Sequence, residues 1–334
     1  MAHDSKDEFN QYRRRILTAL GAGIAGAALP AGVAAQADKN LLRIIYPFVP
    51  GGEWDTMARA IATRMGQQLK MSAIVENKPG GSGRIGTNYL LKMEPPGFNM
   101  IFAPIAQQVF VPLIQPHGDF DPQKDLVPVS QVATFDSCCA VNSKLGITNL
   151  REFLDWVKKN PDKASCGLSG QGGLHHFLAI ELQKVTNAPF QFIFYKGAAQ
   201  VRTDLLAGHI PFTFGTAADY VPLHRGGKVR IIATSGSTRL SMMPDVPTYK
   251  EQGQNLVAHG WYALFASAKT PPAILRTMEE SSLAAMKDPV VQKMILDSGS
   301  TPTSLGSAAL RTVVKNDFER WAPIIKASGF KLEE

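Results

Sequence analysis

The stretch from Tyr46 to Asp55 constrains the fold of this chain more than any other. It follows the apolar run 41–45 and carries two adjacent glycines, Gly51 and Gly52, before an amphipathic segment. This order predicts a strand, a glycine turn and the start of a helix. Glycines let the backbone approach a bound group closely, and the first turn of a helix points unpaired N–H groups at that group. The stretch therefore predicts a loop that binds an anion.

The first 37 residues have the pattern of a bacterial export signal. Three arginines at 13–15 precede an apolar run from Thr18 to Leu29, and Ala35-Gln36-Ala37 has the small-x-small form of a cleavage site. We therefore predict that residues 1–37 are removed on export to the periplasm. The paired arginines indicate the twin-arginine route, and a Sec signal with an unusually basic start is the alternative. A membrane anchor is not favoured, because the run is diluted by glycines and shorter than the roughly 20 residues of a span.

The charge distribution argues against a nucleic-acid-binding protein. The net charge is +7, and removal of the leader, which carries four basic and three acidic residues, leaves +6. In the mature chain the basic residues are scattered, with no run longer than Lys158-Lys159 and no interleaved aromatic residues. Such a chain attracts small anions or an anionic surface and lacks a basic, aromatic groove for nucleic acid. Its length of about 300 residues suffices for a large core divided between two domains.

Three cysteines follow the leader, Cys138, Cys139 and Cys166, and they cannot all pair within one chain. Cys138 and Cys139 are adjacent in a strand-like run, so their side chains point to opposite faces. We predict small core residues rather than metal or redox ligands. A disulfide between either of them and Cys166 stays an alternative in an oxidising compartment.

Short apolar strand candidates alternate with helical segments along the mature chain, which is typical of an α/β protein with parallel sheets. Two long extended stretches, 127–141 and 256–265, interrupt this alternation. We therefore predict two α/β lobes joined by a hinge of two crossing segments, with a cleft between them. Lobe 1 comprises 38–135 and 262–334, and lobe 2 comprises 136–261. The other predicted strands are 43–46, 73–76, 99–103, 163–168, 190–195, 210–214 and 229–235, and the predicted helices are 55–69, 83–93, 149–159, 173–185, 198–207, a segment after 272, and 308–326.

A second glycine cluster, from Pro79 to Gly86, contains a formal G-x-G-x-x-G. A dinucleotide-binding loop would need these glycines directly after the first strand and an acidic residue about twenty positions later. Here the cluster follows the second strand, and 104–107 contain no acid. We predict a tight helix start, or a second wall of the first loop's pocket, and no nucleotide cofactor.

The third cluster, from Ser169 to His176, again joins a strand to a helix and mirrors the first loop. Ser169 lacks the final glycine of the Gly-x-Ser-x-Gly elbow of a hydrolase, which favours a helix cap or a hydrogen-bond donor. His175 and His176 point about 100° apart on a helix, and no ligand spacing supports a metal site. We predict that His176 is a capping or cleft-lining residue, and we predict no catalytic residue, metal or cofactor.

These motifs resemble the Bug receptors, the periplasmic solute-binding proteins of tripartite tricarboxylate transporters. The resemblance runs in consistent order from Leu42 to the C-terminus. It implies a type II periplasmic binding protein fold, a cleft that closes on ligand, and delivery of the solute by a monomer to a membrane permease. The stretches that carry it are Tyr46-Pro47-Phe48-Val49-Pro50-Gly51-Gly52-x-x-Asp55, Glu76-Asn77-Lys78-Pro79-Gly80, Gly83-Arg84-Ile85-Gly86, Tyr195-Lys196-Gly197, Asp204-Leu205-Leu206-Ala207-Gly208, Pro244-Asp245-Val246-Pro247-Thr248 and Trp261-Tyr262-Ala263-Leu264-Phe265-Ala266.

The resemblance also implies which residues hold the solute. Family receptors hold a ligand carboxylate through backbone N–H groups and bridging waters between the two loops, so a small organic carboxylate is expected. Two candidates have structural alternatives, since Asp55 can pair with Arg59 one turn on and Tyr195 can belong to the core. The residues expected at the ligand are Phe48, Gly51, Gly52, Glu53, Trp54 and Asp55 in lobe 1, and Ser169, Gly170, Gly172, Gly173, His176, Tyr195, Gly215 and Thr216 in lobe 2.

Glu53 and Trp54 depart from the family pattern, in which this pair is commonly small. A carboxylate that faced the cleft would repel a plain dicarboxylate and suit a ligand that also carries a cationic group. Trp54 would stack on an aromatic ring of such a ligand. We therefore expect an amphoteric or aromatic carboxylate, an expectation that fails if both side chains point to solvent.

Two other functions stay open at the level of sequence. A secreted hydrolase would use Ser169 and His176, although the elbow glycine is missing. A cell-surface or polyanion-binding protein would use the basic charge, and steep salt dependence without a small ligand would identify it.

Overall fold

The structure is a computed structural model that describes residues 40–94, 97–115 and 120–330. The predicted export signal lies outside these ranges. From Leu42 onward the chain forms one compact unit. No helix within the described ranges is long and apolar enough to cross a membrane.

The first elements build one edge of a sheet and the helix that covers it. β1 pairs in parallel with β3, and β2 forms the outer edge. Met57, Ile61 and Met65 recur at helical spacing on α1, and all three are buried, which is why this helix packs on the sheet. The elements are β1 (Leu41–Tyr46), α1 (Glu53–Leu69), β2 (Ser72–Asn77), α2 (Arg84–Leu91) and β3 (Asn99–Pro104).

Short helical segments that the sequence did not predict follow β3. They are a π-helical turn at Ala106–Phe110, α3 (Val111–Ile114) and α4 (Pro122–Asp125). The turn buries Gln107, whose Nε2 donates to the Gly83 carbonyl at 3.2 Å. A polar residue at a core position interrupts the helical periodicity of apolar residues, so the sequence of this segment did not predict a helix.

The second sheet begins with the longest strand, β4 (Leu126–Asn142). Its other strands are apolar and alternate with helices, as predicted, and β5 pairs in parallel with both β6 and β7. We did not predict α8, which carries Pro222 within it and has no clear apolar periodicity. The elements are α5 (Leu150–Lys159), β5 (Ser165–Leu168), α6 (Leu174–Thr186), β6 (Gln191–Phe194), α7 (Ala198–Ala207), β7 (Phe212–Thr216), α8 (Ala217–Arg225) and β8 (Val229–Thr234).

The chain returns to the first sheet through β9 and ends in helices. The last helix, α11, buries Leu310, Trp321 and Ile325 on the predicted face and packs on β4 and α6. The elements are β9 (His259–Ser267), α9 (Pro272–Ala285), α10 (Pro289–Asp297), the short β10 (Thr301–Pro302) and α11 (Ser307–Ser328).

β4 changes sheets in its middle, which confirms the first predicted crossing stretch. Up to Asp136, which aligns with His259, β4 pairs antiparallel with β9. From Ser137, which aligns with Thr216, it pairs with β7 and then also with β8. The carboxylate of Asp136 and the imidazole of His259 lie 2.7 Å apart at this junction. The backbone between Asp136 and Ser137 therefore connects the two sheets directly.

All three cysteines are free and buried. Cys139 and Cys166 belong to one apolar cluster, whereas Cys138 faces another on the opposite side of β4. Burial raises the pKa of each thiol above its ordinary value. The prediction of small core residues on opposite strand faces is confirmed.

Candidate functional site

Two glycine loops in the two halves of the fold share one backbone plan. Gly51 and Gly172 have φ of +88° and +70°, which favour glycine, and each is followed by a glycine in extended conformation. That second glycine, Gly52 or Gly173, is the N-cap of the next helix. The predicted mirror relation between the loops thus extends to their dihedral angles. We call them loop 1 (Gly51–Asp55) and loop 2 (Gly172–His176).

In loop 1, the carboxylate of Asp55 accepts hydrogen bonds from three residues, and Asp55 is only 3% exposed. Its carboxylate accepts from the Gly51 N–H at 3.1 Å, from Asn77 Nδ2 at 2.8 Å and from the Arg59 guanidinium at 3.1 and 3.2 Å. Burial alone would raise the pKa of Asp55, but these hydrogen bonds lower it below its ordinary value. Asn77 also donates to the Phe48 carbonyl at 3.3 Å, so the carboxylate fixes the whole turn. The structural alternative for Asp55, pairing with Arg59, is present.

In loop 2, His176 has the same position as Asp55 and closes the loop in the same way. Its Nδ1 accepts from the Gly172 N–H at 3.2 Å, again four residues apart. The ring is 4% exposed and lies edge-on to Phe192, Phe194 and Phe330 at 4.9 to 5.2 Å. Burial lowers its pKa to about 4, so the imidazole is neutral near pH 7. His176 thus packs among aromatic rings and holds loop 2 in place through its hydrogen bond to Gly172.

His175, the neighbour of His176, lies at the junction between the two sheets. Its Nδ1 lies 3.0 Å from Ser137 Oγ, at the point where β4 enters the second sheet, and its Nε2 lies 3.4 Å from Thr216 Oγ1. Burial lowers its pKa to about 4 as well. The neutral ring therefore connects the first turn of α6 to the N-cap of α8.

A row of aromatic rings joins loop 1 to loop 2. Trp54 stacks on Tyr262 with ring centroids 3.7 Å apart, Tyr262 lies 5.5 Å from Phe135, and Phe135 lies 6.5 Å from His175. Phe135 and Tyr262 belong to β4 and β9, the strands next to the sheet junction. We call these four residues the aromatic row. It places the starts of α1, α6 and α8 around one surface.

None of the three helices that begin at this surface has a side-chain cap among the described residues. Their N-caps are Gly52, Gly173 and Thr216. By contrast, α5 and α10 are capped by the side chains of Asn149 and Asp288. The first N–H groups of an uncapped helix lack acceptors and carry the positive end of the helix dipole. Three such ends around one surface form an environment for an anion.

Two carboxylates border the same surface. Glu53 lies in the first turn of α1 and Asp219 in the first turn of α8. Burial and then the negative charge of Asp219 raise the pKa of Glu53, so the two carboxylates are close enough to repel each other. Arg202 pairs with Asp219 at 3.3 Å. Glu53 is exposed, and its carboxylate lies near enough to Asp219 for the two charges to interact.

The other predicted site residues lie in structural roles of their own. The Tyr195 hydroxyl donates to Asp204 at 2.7 Å. Gly215 leaves room for the Tyr220 ring, which would lie 2.5 Å from a Cβ at this position. Ser169 precedes α6 by five residues and Gly173 is the N-cap. Of the two predicted roles of Ser169, the helix cap is therefore wrong, and the hydrogen-bond donor stays a prediction. Gly170 lies in the same stretch with open space around it.

Sequence reasoning missed several residues that the fold brings to this surface. Phe135, Ser137 and His175 were present in the sequence without a local signal that separated them from core residues. Asn77 and Tyr262 stand inside stretches that carried the family resemblance, so a signal for these two was available. Within the described residues no group of three or more possible metal ligands is present.

Comparison with known proteins identifies the family. The model for the tripartite tricarboxylate transporter family receptor matches residues 57–330. The chain belongs to this family. BugT of Bordetella pertussis is 29% identical over 322 residues, which cover 96% of this chain and 99% of BugT. As a family member the chain is a solute-binding receptor, and the resemblance inferred from its motifs is confirmed.

Solved structures confirm the fold as that of periplasmic binding proteins. The structure of a periplasmic transporter has 32% sequence identity and a TM-score of 0.74, covering 88% of this chain and 98% of its own. MatC from Rhodopseudomonas palustris, with bound malate, shares the fold at 23% identity and a TM-score of 0.71 over 85% of this chain and 98% of its own.

Proposed function

We propose that the receptor captures a small carboxylate-bearing solute where α1, α6 and α8 begin, and delivers it to the permease of a tripartite transporter. The observation that carries this proposal is the convergence of three helix N-termini without side-chain caps on the aromatic row. Bound malate in MatC supports a carboxylate as the ligand.

Neutral backbone N–H groups at the helix N-termini would attract the anion. The N–H groups at Gly52 and Glu53 in loop 1, and at Gly173 and Leu174 in loop 2, are placed to donate to carboxylate oxygens directly or through water. Gly51 and Gly172 do not share this role, because their N–H groups already donate to Asp55 and His176. Hydrogen bonds from neutral backbone groups favour a reversible complex, as a receptor that must release its ligand requires.

Closure would move two lobes around the sheet junction. We propose that lobe 1 comprises 38–135 and 262–334 and that lobe 2 comprises 136–261, since β4 changes sheets between Asp136 and Ser137. A ligand that contacts loop 1 and loop 2 at once would favour the closed state by its contacts to both. We further propose that the monomer acts in the periplasm after removal of residues 1–37. Glu53, Trp54 and the N-cap glycines would lie nearest the ligand, and Asp55 and His176 would hold the two loops in place.

The proposal is tested by introducing side-chain caps at the N-termini of α1 and α6. Gly52→Asp and Gly173→Asp place an acceptor on the orphan N–H groups and a negative charge where the ligand carboxylate would lie. Both glycines have extended dihedral angles that aspartate adopts, and neither has an atom within 4 Å of a Cβ. We expect unchanged or slightly higher stability and at least about tenfold weaker binding of C4 to C6 dicarboxylates in calorimetric titration.

The matched control is Gly197→Asp, at the N-cap of α7. This helix also lacks a side-chain cap, and its N-cap glycine is equally open. It should gain the same stability and keep full affinity. Wild-type affinity in both loop variants would contradict the proposed site, and no binding of any small acid by the folded wild type would contradict a carboxylate ligand.

The geometry does not favour the hydrolase alternative. His176 is the predicted base, but its Nδ1 accepts from the Gly172 N–H. Ser169 therefore has no imidazole Nδ1 available to take its proton, and the ring of His176 packs against Phe192 and Phe194.

A further inference from the structure

A groove of about 650 Å³ lies between α6, β6 and the end of α11. None of its described lining residues belongs to the aromatic row. His176 is the one predicted solute-site residue among them, and its ring lies on the side of loop 2 away from the aromatic row, so we treat the groove as a separate site. Its walls are apolar and largely aromatic, with Phe192 and Phe194 from β6, Ile180 from α6 and Phe330 after α11. Phe194 remains 37% exposed. Volume and composition both fall in the range of small-molecule sites.

One buried polar group faces the groove from its base. His176 is 4% exposed and lines the groove. Because Nδ1 accepts from the Gly172 N–H, the proton of the neutral ring is on Nε2. No acceptor for this Nε2–H is present among the described residues. Nε2 is accessible from the groove, so an oxygen atom of a bound molecule accepts its N–H in place of water.

The rim of the groove carries an unbalanced positive charge. Lys184 lies on α6 eight residues after His176, roughly 12 Å along the helix axis, and no carboxylate pairs with it in the described part of the chain. The other charged group at the rim, Glu181, accepts from Arg320 at 3.0 Å and is therefore already balanced. The groove thus offers a donor at its base, apolar walls and a cation at its mouth.

We propose that this groove is a second binding site, for an aromatic hydroxy acid. The ring of such a molecule packs against Phe192 and Phe194, its hydroxyl oxygen accepts from His176 Nε2–H, and its carboxylate meets the Lys184 ammonium. Because His176 also closes loop 2, a molecule in the groove contacts the residue that holds the proposed solute loop in place.

Three probes of similar size separate these contributions. The full chain from Asp38 is titrated calorimetrically with 3-(4-hydroxyphenyl)propionate, with 3-phenylpropionate, which lacks the acceptor, and with tyramine, which reverses the charge. We expect the hydroxy acid to bind best. Loss of one hydrogen bond to the His176 N–H should weaken 3-phenylpropionate about fivefold to tenfold, and tyramine should bind more weakly still.

Two variants locate the binding. Ala327→Trp fills the groove from an exposed position of α11, and Ala309→Trp places the same ring at an exposed position on the first turn of that helix. The first should abolish binding of the hydroxy acid and the second should leave it unchanged. Lys184→Gln should weaken the hydroxy acid about threefold to tenfold without weakening tyramine, whereas Lys158→Gln on α5 should have no effect.

The result can overturn the proposal without bearing on the solute site. Equal binding by the Ala327→Trp and Ala309→Trp variants would show that the molecule is not in the groove. Loss of binding in Gly52→Asp, with full binding in Ala327→Trp, would place the hydroxy acid at the helix N-termini instead. No heat and no saturation-transfer signal with the wild type would also contradict the second site.

Discussion

Loop 1 and loop 2 have the same backbone conformation, and in each the first glycine N–H donates to the side chain four residues later. The side chains that accept this bond differ in charge. Asp55 closes loop 1 as a charged carboxylate that accepts from a backbone N–H and from two side chains, Arg59 and Asn77. His176 closes loop 2 as a neutral ring with one hydrogen bond and aromatic neighbours. The glycine pair determines where the free N–H groups lie. The residue four positions after the first glycine only has to keep the loop in this conformation. A charged carboxylate (Asp55) and a packed neutral ring (His176) both do so.

The comparison also explains which side chain faces the partner loop. In each loop the residue before the closing one, Trp54 or His175, belongs to the aromatic row. The closing residue points back into its own half of the fold, because its side chain must reach the glycine N–H. The equivalence of Trp54 and His175 follows from the shared loop geometry.

The largest expected effect is on loop 1. Asp55→Ala leaves the Gly51 N–H, Asn77 and Arg59 without their acceptor, and we expect a loss of about 3 kcal/mol in the free energy of unfolding. Urea denaturation measures it. Asp297→Ala, which removes only the exposed pair with Lys293, should change stability by less than about 0.5 kcal/mol. A loss as small as this for Asp55→Ala would show that loop 1 does not depend on its carboxylate.

The contribution of loop 2 to folding stability should change with pH between 6.5 and 4, because it depends on a histidine. The pKa of His176 is about 4 in the folded protein, against an ordinary 6.5, so only the unfolded chain takes up the proton between these values. Its stabilising contribution is complete above pH 6.5 and is lost as pH falls toward 4. His176→Phe keeps the aromatic packing, leaves the Gly172 N–H unpaired, and should cost about 1–2 kcal/mol at pH 7.5.

That difference should shrink on acidification, because the phenylalanine variant cannot be protonated. Between pH 6.5 and 5 the wild type should lose up to about 2 kcal/mol that the variant does not lose. Urea denaturation at the two pH values compares them, with His209→Phe at an exposed position as the control. A constant difference across this range would mean that folding does not lower the pKa of His176.

His259, at the sheet junction, should show the opposite pH dependence: its contribution to stability should fall as pH rises. The hydrogen bond to Asp136 raises the pKa of His259 above 6.5, with Asp317 adding to this effect and Arg320 opposing it. Its contribution is therefore complete below pH 6.5 and is lost as pH rises through the folded-state pKa. His259→Gln should cost under about 1 kcal/mol at pH 6 and less at pH 9, since the ring is partly exposed. Equal losses at both pH values would contradict a protonated His259.

The smallest expected effect concerns the link between α6 and α8. Thr216→Val removes a hydroxyl that lies 3.4 Å from His175 Nε2 and makes no cap hydrogen bond. We expect a change of about 0.5 kcal/mol or less in unfolding free energy. A loss above about 2 kcal/mol, measured by urea denaturation, would show that the His175 connection contributes more to stability than the closure of loop 2.

Most strands and helices were predictable because each has a local cause. Apolar periodicity marks α1 and α11, and the continuous apolar run of β4 marks a strand buried on both faces. Prediction failed where local and tertiary demands conflict. Gln107 is polar and yet buried, because it bonds Gly83 across the fold, and α8 contains a proline. Ser169 resembled a cap because helix starts are uncertain by several residues from sequence alone.

The sequence by itself determined the two glycine loops and their helix starts. Positive φ at a glycine and unpaired N–H groups in a first helical turn are local properties, so a few adjacent residues suffice to specify them. Only the tertiary structure decided which side chains surround those groups. Phe135 and Tyr262 meet because β4 and β9 pair antiparallel with a register shift, and His175 rather than His176 reaches Thr216 because His176 must turn back to Gly172. Strand register and side-chain direction depend on distant residues, and a local motif does not contain that information.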